Sequence, residues 1–453
     1  MSGIDPSIFK AYDVRSTVDR LTPEAARLIG RAMGSLARER GFSRIAVGRD
    51  GRLSSPALAA ELSAGLTDCG MTVLEIGLAA TPLLYFAALR QADGCGAMVT
   101  GSHNPPDYNG IKLMLGGDAV DGISLQSLRA RIEADDFVTG TGEIVPLEVA
   151  AQYLEAVRVA LPVLRPLKVV IDCGNGAPGA VAPELYRRLG CEVVALYCEV
   201  DGRFPHHHPD PQVAANLADL QYAVIEHGAD VGLAFDGDGD RLGVVTRQGR
   251  IVPGDQLLVL FAQAELARRP GLVLYDVKSS RLVARMAAQY GGCSAAIPTG
   301  HSHMKRALKA QNALLAGELS GHFAFAGWDV DDALYAGAKL LQILAGGADL
   351  DAELARYPQV LASPELQVKL SEDGRAVVGY IAENADFPSA AHVFTVDGLR
   401  VEYPDGFGLI RASNTTPVLT LRIEADDRQA LARIRNELAA AIVPLPFPDW
   451  NEE

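Results

Sequence analysis

The chain has 453 residues, 49 % of them apolar and 21 % charged, a globular balance at a length that suggests about three domains. Its 41 basic side chains against 56 acidic ones leave a formal charge of −15, which argues against nucleic acid as a partner and against docking on an anionic membrane. Six scattered cysteines with no C-x-x-C pair, no basic-then-apolar start and no apolar run of about 18 residues point to a soluble cytoplasmic protein without a zinc ribbon, signal peptide or membrane span.

Along the chain, short apolar runs alternate with segments of helical period, the α/β pattern. Arg44–Gly48 reads as a strand, Pro56–Cys69 as a helix, Thr72–Gly77 as a strand, Thr81–Arg90 as a helix and Gly96–Thr100 as a strand, which fits parallel βαβαβ winding. The same order recurs twice, with strands at Lys168–Asp172, Cys191–Tyr197 and Val231–Phe235, then at Leu272–Asp276, Ser294–Ile297 and Ala313–Ala316. Thereafter Leu366–Leu370, His392–Val396, Gly398–Tyr403, Phe407–Ala412 and Val418–Glu424 read as short strands, and Arg428–Ile442 as a helix. Linkers are expected near Thr139–Pro146, Arg247–Pro253 and Tyr357–Pro364. The expectation is three similar α/β domains with mixed, mostly parallel sheets (residues 1–147, 148–250 and 251–361) plus a C-terminal α+β domain (362–453).

Open parallel sheets bind ligands at the carboxyl ends of their strands. The third strand of each repeat ends in a different polar cluster: Thr100-Gly101-Ser102-His103-Asn104-Pro105-Pro106, then Asp236-Gly237-Asp238-Gly239-Asp240-Arg241, then Gly317-Glu318-Leu319-Ser320-Gly321-His322. Three carboxylates separated only by glycine repel one another, and a hard divalent cation such as Mg²⁺ resolves this. An EF-hand fails on spacing, because Arg241 and Arg247 stand where Gly and Glu belong. Ser102 reads as a nucleophile or phosphoryl carrier, against the commoner role of a capping or turn serine. Glu318 and Ser320 suit adjacent sugar hydroxyls. Lys10, Arg15, Lys278, Arg281 and the run Arg411–Pro417 supply loop cations and hydroxyls for a phosphate. The trio His206–His208 reads as a loop feature, since adjacent histidines do not readily face one ion. Gly174–Gly179 matches G-x-G-x-x-G after a strand, which keeps an NAD-dependent oxidoreductase as a competitor, but that reading leaves the three strand-end clusters without a role. A non-catalytic sugar-phosphate-binding protein is a further alternative.

Taken together, Thr100–Pro105 (TGSHNP), Asp236–Arg241 (DGDGDR), Gly317–His322 (GELSGH) and Arg411–Pro417 (RASNTTP) resemble the four signature loops of the α-D-phosphohexomutases, in the family's order and over almost the whole chain. Ile8–Arg15, Gly48–Pro56 and Pro298–His301 add to the likeness. The resemblance implies four domains around a central cleft, the last acting as a lid. It implies reversible 1-/6-phosphoryl transfer on mannose or glucose phosphates through phospho-Ser102 and a hexose 1,6-bisphosphate. It implies Mg²⁺ held by Ser102, Asp236, Asp238 and Asp240, with Arg241 supporting that loop. Ser102, His103, Lys112, His301 and Arg15 would carry the chemistry. Tyr12, Arg15, Lys278, His301, Glu318, Ser320, His322, Arg411, Ser413, Asn414 and Thr415 would bind substrate. Phosphoglucosamine mutases are similar too, but Gly101 and Leu319 point toward hexose phosphates. The expected partners are small hexose phosphates, with the chain a monomer or weak homo-oligomer.

Overall fold

Four β-sheets organise the chain in the computed structural model, which describes residues 4–163, 165–371, 373–413 and 417–450. The first contains β1 (Val14–Thr17), β2 (Arg44–Arg49), β3 (Thr72–Leu78), β4 (Gly96–Val99), β5 (Tyr108–Leu115), β6 (Asp118–Ala119) and β7 (Glu143–Pro146), in the order β1-β5-β4-β2-β3-β7 with β6 on β5. The expected parallel core is present, since β2 pairs in parallel with both β3 and β4. Helix Pro23–Glu39 starts where Thr22 accepts the Ala25 N–H and Pro23 supplies a preset φ. Its apolar stripe, Ile29 and Met33, joins Leu62 and Leu66 of helix Ser55–Thr67 in burying Ile45, Val47, Val73, Val99 and Ile111.

Two features of this sheet depart from the sequence reading. β5 runs antiparallel to β4, so the segment after the Ser102 loop returns as a strand. The expected linker at 139–146 contains β7, which pairs in parallel with β3. Exposed Glu-Ile-Val-Pro reads as connector because an edge strand carries no buried face to mark it.

The second sheet contains β8 (Lys168–Asp172), β9 (Glu192–Leu196), β10 (Val231–Phe235), β11 (Leu242–Thr246) and β12 (Ile251–Val252), in the order β12-β11-β10-β8-β9. β8 pairs in parallel with β9 and β10, while β10 and β11 form an antiparallel hairpin whose turn is the acidic segment 236–241. The linker expected at 247–253 therefore includes a strand.

The chain divides into two compact units: Met1–Gly254 with Ser320–Asp351, and Asp255–Leu319 with Ala352–Glu453. In the first unit, the returning segment supplies helix Ala333–Ala345, which packs on the second sheet. Tyr186 donates to the Leu334 carbonyl at 3.0 Å, and the Ala333 N–H reaches the Gly239 carbonyl in the acidic turn at 3.2 Å. The helix is capped by Asp332, which also accepts from Tyr153 (2.8 Å) and the Trp328 indole (2.8 Å). Burial pushes the Asp332 carboxyl up to about 6.

In the second unit, β13 (Leu272–Asp276) lies between β14 (Cys293–Ile297) and β15 (Leu315–Gly317), all parallel. β16 (Phe323–Phe325) falls in the segment returned to the first unit. The last sheet is antiparallel: β17 (Leu361–Ala362), β18 (Leu366–Lys369), β19 (His392–Phe394), β20 (Leu399–Tyr403), β21 (Gly406–Ala412) and β22 (Val418–Ala425), in the order β17-β22-β21-β20-β19 with β18 on β22. β17 again occupies an expected linker. Helices Gly374–Asn384 and Arg428–Ala441 cover this sheet through Val378, Ile381, Ile434 and Leu438; the first of them was not read from the sequence. Buried Arg400 and Arg422 join the two sheets of this unit: Arg400 donates to the Val277 and Ser279 carbonyls at 2.6 and 2.7 Å, and Arg422 to the Lys278 carbonyl at 2.6 Å. The architecture is thus three α/β domains with mixed sheets and a C-terminal α+β domain. No helix among the described residues is long and apolar enough to cross a membrane.

Candidate active site

In the first unit, two strand ends meet. β4 leads into Ser102, and β10 leads into Asp236. The two turns touch along their backbones: a Cβ on Gly237 would lie 2.2 Å from the Ser102 carbonyl oxygen, so only glycine fits between the first two aspartates. Ser102 itself has φ +49°, a left-handed conformation that is costly for a residue with a Cβ. Its Oγ donates to Asp236 Oδ2 at 2.7 Å and lies 3.2 Å from His103 Nδ1. The other oxygen of Asp236 accepts the N–H groups of Gly239, Asp240 and Arg241 at 3.0–3.1 Å, which fixes the turn.

Asp236, Asp238 and Asp240 are all buried, and each offers an oxygen within 4.8 Å of the others. Lys112 reaches them from β5. Its Nζ is 2.6 Å from Asp238 Oδ2 and 2.5 Å from Asp240 Oδ2, and Thr81 also donates to Asp238 Oδ2 at 2.5 Å. Of the second oxygens, Asp238 Oδ1 is buried without a hydrogen bond, and Asp240 Oδ1 has the His322 ring 3.4 Å away. Three carboxylates against one ammonium leave formal negative charge and unused lone pairs, a donor set that fits a hard divalent cation.

The electrostatics follow from burial and crowding. Burial, with Asp240 and Asp238 alongside, holds the Asp236 carboxyl well above the carboxylate range. Burial works against a charged Lys112, but Asp238 and Asp240 hold its pKa well above the usual value. For Asp240, burial is outweighed by Lys112, His322 and Arg241, and the group sits well below the usual range. His103 is driven far down by burial and by Arg241 and Arg15.

Further expected residues of this unit lie close by. Arg15, on β1, donates to Asn104 Oδ1 at 2.6 Å and pairs with Asp13 at 2.5 Å. Half-buried Tyr12 precedes that strand. His322 lies against the acidic group, its Nε2 3.4 Å from Asp240 Oδ1 and its Nδ1 2.8 Å from Ser320 Oγ.

The second unit holds the remaining expected residues. Glu318, at the end of β15, accepts the Gly300 N–H at 2.6 Å and so fixes the start of helix His301–Ala310, where His301 stands. Lys278, just past β13, pairs with Glu365 at 2.7 Å. Arg411, on β21, donates to Asp397 at 2.7 Å, and the same carboxylate oxygen accepts the Thr299 N–H at 3.0 Å. The Ser413 N–H bonds to the Val418 carbonyl at 2.9 Å. Asn414 and Thr415 lie outside the described residues. The chain passes from one unit to the other between Leu319 and Ser320.

The glycine run 174–179 has a packing role. A Cβ on Gly176 would lie 2.8 Å from the Gly237 carbonyl oxygen, one on Gly179 would lie 2.1 Å from that of Cys198, and the Ala177 N–H bonds to Gly237. These glycines seat the β8 loop on the acidic turn. The histidine trio is also a loop lock: His206 Nδ1 lies 2.8 Å from Asn175 Oδ1, and His207 pairs with Asp172 at 3.0 Å. Sequence reasoning gave no role to Asp50, Arg52, Thr81, Asp276 or Asp397. Asp50 and Arg52 follow β2 and Asp276 ends β13, so the strand-end rule, applied to every strand rather than the third of each repeat, would have found them.

Comparison with known proteins places this geometry among relatives. Family models described as phosphoglucomutase/phosphomannomutase α/β/α domains I, II and III match residues 6–139, 151–249 and 253–360, and the family's C-terminal domain matches 345–441. The chain is 49 % identical to a phosphoglucomutase of Neisseria meningitidis over 99 % of its own length and 100 % of the relative's. It is 46 % identical to a phosphomannomutase/phosphoglucomutase of Pseudomonas aeruginosa over 98 % and 97 %. A crystal structure of a phosphoglucomutase/phosphomannomutase family protein from Burkholderia thailandensis superposes with a TM-score of 0.93 at 46 % identity, covering 98 % of this chain and 100 % of that one.

Proposed function

The chain belongs to the phosphoglucomutase/phosphomannomutase family, and from that premise we propose that it is an isomerase that moves a phosphoryl group between the 1- and 6-positions of glucose or mannose phosphate. Phospho-Ser102 gives its group to the free hydroxyl of the substrate, forming a hexose 1,6-bisphosphate, and the other phosphate then returns to Ser102. The observation that carries this reading is the seating of the Ser102 hydroxyl 2.7 Å from Asp236, beside three buried carboxylates of which Asp238 keeps an oxygen with no hydrogen bond. Ser102, Asp236, Asp238 and Asp240 would hold Mg²⁺, which supplies positive charge to the oxygens of the transferring group.

The protein's own groups supply the rest. Lys112, fixed between two carboxylates, contributes a positioned cation. Arg15, braced by Asp13 and Asn104, keeps its guanidinium beside the Ser102 loop. Arg241 supports the acidic turn through its backbone N–H. His103 and His301 carry imidazoles suited to the proton of the attacking hydroxyl. Glu318, Ser320 and His322 read the sugar hydroxyls, while Tyr12, Lys278, Arg411, Ser413, Asn414 and Thr415 bind the substrate, Arg411 through the phosphate it does not transfer.

A coupled mutase assay with glucose 1-phosphate, mannose 1-phosphate and glucosamine 1-phosphate tests the reading. Turnover of the first two is expected, dependent on a divalent cation and on catalytic hexose 1,6-bisphosphate. Ser102→Ala is expected to abolish turnover while the protein remains folded. Activity of that variant near the parent level refutes the phosphoserine role, and binding without turnover in the parent points instead to a sugar-phosphate sensor.

A further inference from the structure

We infer that Arg52, with Asp50 beside it, is a positioning residue that holds the Ser102 loop in its reactive backbone conformation; this rests on the phosphoserine reading of Ser102. Arg52 is 1 % exposed, and its guanidinium is the point on which the carbonyls of that loop converge. Nη2 donates to the Ser102 and Asn104 carbonyls at 2.8 and 2.6 Å, and Nη1 to those of Pro105 and Tyr108 at 2.5 and 2.9 Å. Asp50 grips the other side. Its Oδ2 accepts the Gly101 N–H at 3.1 Å and lies 3.2 Å from Arg52 Nε, while its Oδ1 accepts from the Arg52 N–H at 3.0 Å and from Ser55 Oγ at 2.5 Å. The Gly101 N–H and the Ser102 carbonyl are thus both tied to one ion pair.

That arrangement answers a specific need. Ser102 has φ +49°, a conformation that a chain with a Cβ abandons unless neighbouring bonds hold it. A planar guanidinium with five donors can span four carbonyls; an ammonium, with three donors on one atom, cannot reproduce the fork. Arg52 is itself enclosed, with the Phe204 ring 5.0 Å from its Cζ. A Cβ on Gly101 would lie 2.5 Å from Arg52 Cζ and Nε. Glycine before the serine, read from the sequence as a mark of substrate class, also leaves room for the arginine behind it, and a Cβ there would displace the guanidinium. Arg52 touches no reacting atom; it acts through the backbone of Ser102.

Arg52→Lys and Gly101→Ala in the full chain test this. Three quantities are read: phosphate incorporation at Ser102 from glucose 1,6-bisphosphate by intact-protein mass, kcat and KM for glucose 1-phosphate, and the thermal unfolding midpoint. Both variants are expected to lose at least tenfold in phosphate incorporation and in kcat, about 1.4 kcal/mol of barrier, with KM within twofold of the parent at a temperature where each is fully folded. The inference is overturned if either folded variant keeps parental rates, if KM moves and kcat does not, or if the loss only tracks the unfolded fraction. A parent protein that turns over without ever carrying phosphate on Ser102 overturns the phosphoserine reading itself, and this inference with it.

Discussion

Replacing Lys112 with methionine tests the electrostatic account of the acidic group directly. Lys112 is 5 % exposed, and its Nζ bridges Asp238 and Asp240 at 2.6 and 2.5 Å. Methionine fills a similar volume but leaves three buried carboxylates facing one another with no cation between them. Breaking a buried ion pair by removing one partner costs about 3–5 kcal/mol. For a unit of this size that corresponds to a fall of roughly 6–20 °C in the unfolding midpoint. A divalent cation binds only the folded site and so stabilises it by mass action. The variant, with more uncompensated negative charge, is expected to gain more from added Mg²⁺ than the parent does. Thermal unfolding by circular dichroism, with chelator and with a Mg²⁺ series, measures both effects. A loss below about 1 kcal/mol, or a Mg²⁺ response no larger than the parent's, refutes the argument that Lys112 compensates the cluster. Mutase activity of the variant is expected to be lost in either buffer.

Other perturbations probe separate contacts. Gly237→Ala would bring a Cβ to 2.2 Å from the Ser102 carbonyl oxygen; a destabilisation of about 1–3 kcal/mol in urea titration is expected, together with lower kcat. Asp397→Ala removes the carboxylate that orients Arg411 and fixes the Thr299 N–H; a rise in KM larger than the fall in kcat is expected, and an unchanged KM excludes Asp397 from phosphate binding. For His207, burial opposes the charge but the hydrogen bond and charge of Asp172 outweigh it and raise the imidazole pKa above 6.5. Its contribution to stability is therefore full below about pH 6.5 and is lost as pH rises through the raised value, so His207→Gln is expected to flatten that part of the stability–pH curve, measured by denaturant midpoints across pH 6–9.

The parts of the site legible in the sequence are those set by local pattern. Ser102 and the acidic turn each follow an all-buried strand, and a run of aspartates spaced by glycine has few structural uses. The central parallel strands β4, β8, β10 and β13 are readable because both faces are covered, which makes them short apolar runs. What escaped depends on distant partners. β5 is buried along almost its whole length and shows no alternation, so its antiparallel return, which delivers Lys112 to the acidic group, has no signature of its own. Arg52 reads as a solvated loop charge until the fold brings four carbonyls onto it. Asp397 lies in a turn between two strands, and its link to Thr299 spans 98 residues.

The interleaving of the two units also bears on synthesis. The helix Ala333–Ala345 that packs against Tyr186 and Gly239 emerges from the ribosome only after residues 255–319, which belong to the other unit. Although domains usually fold as they appear, N-terminal first, the first unit has to wait, its second sheet partly uncovered, while part of its neighbour is made. A stop codon after residue 254 would leave an apolar sheet without its covering helix rather than a smaller working domain. That helix becomes available to the second sheet only once residues 333–345 have cleared the exit tunnel.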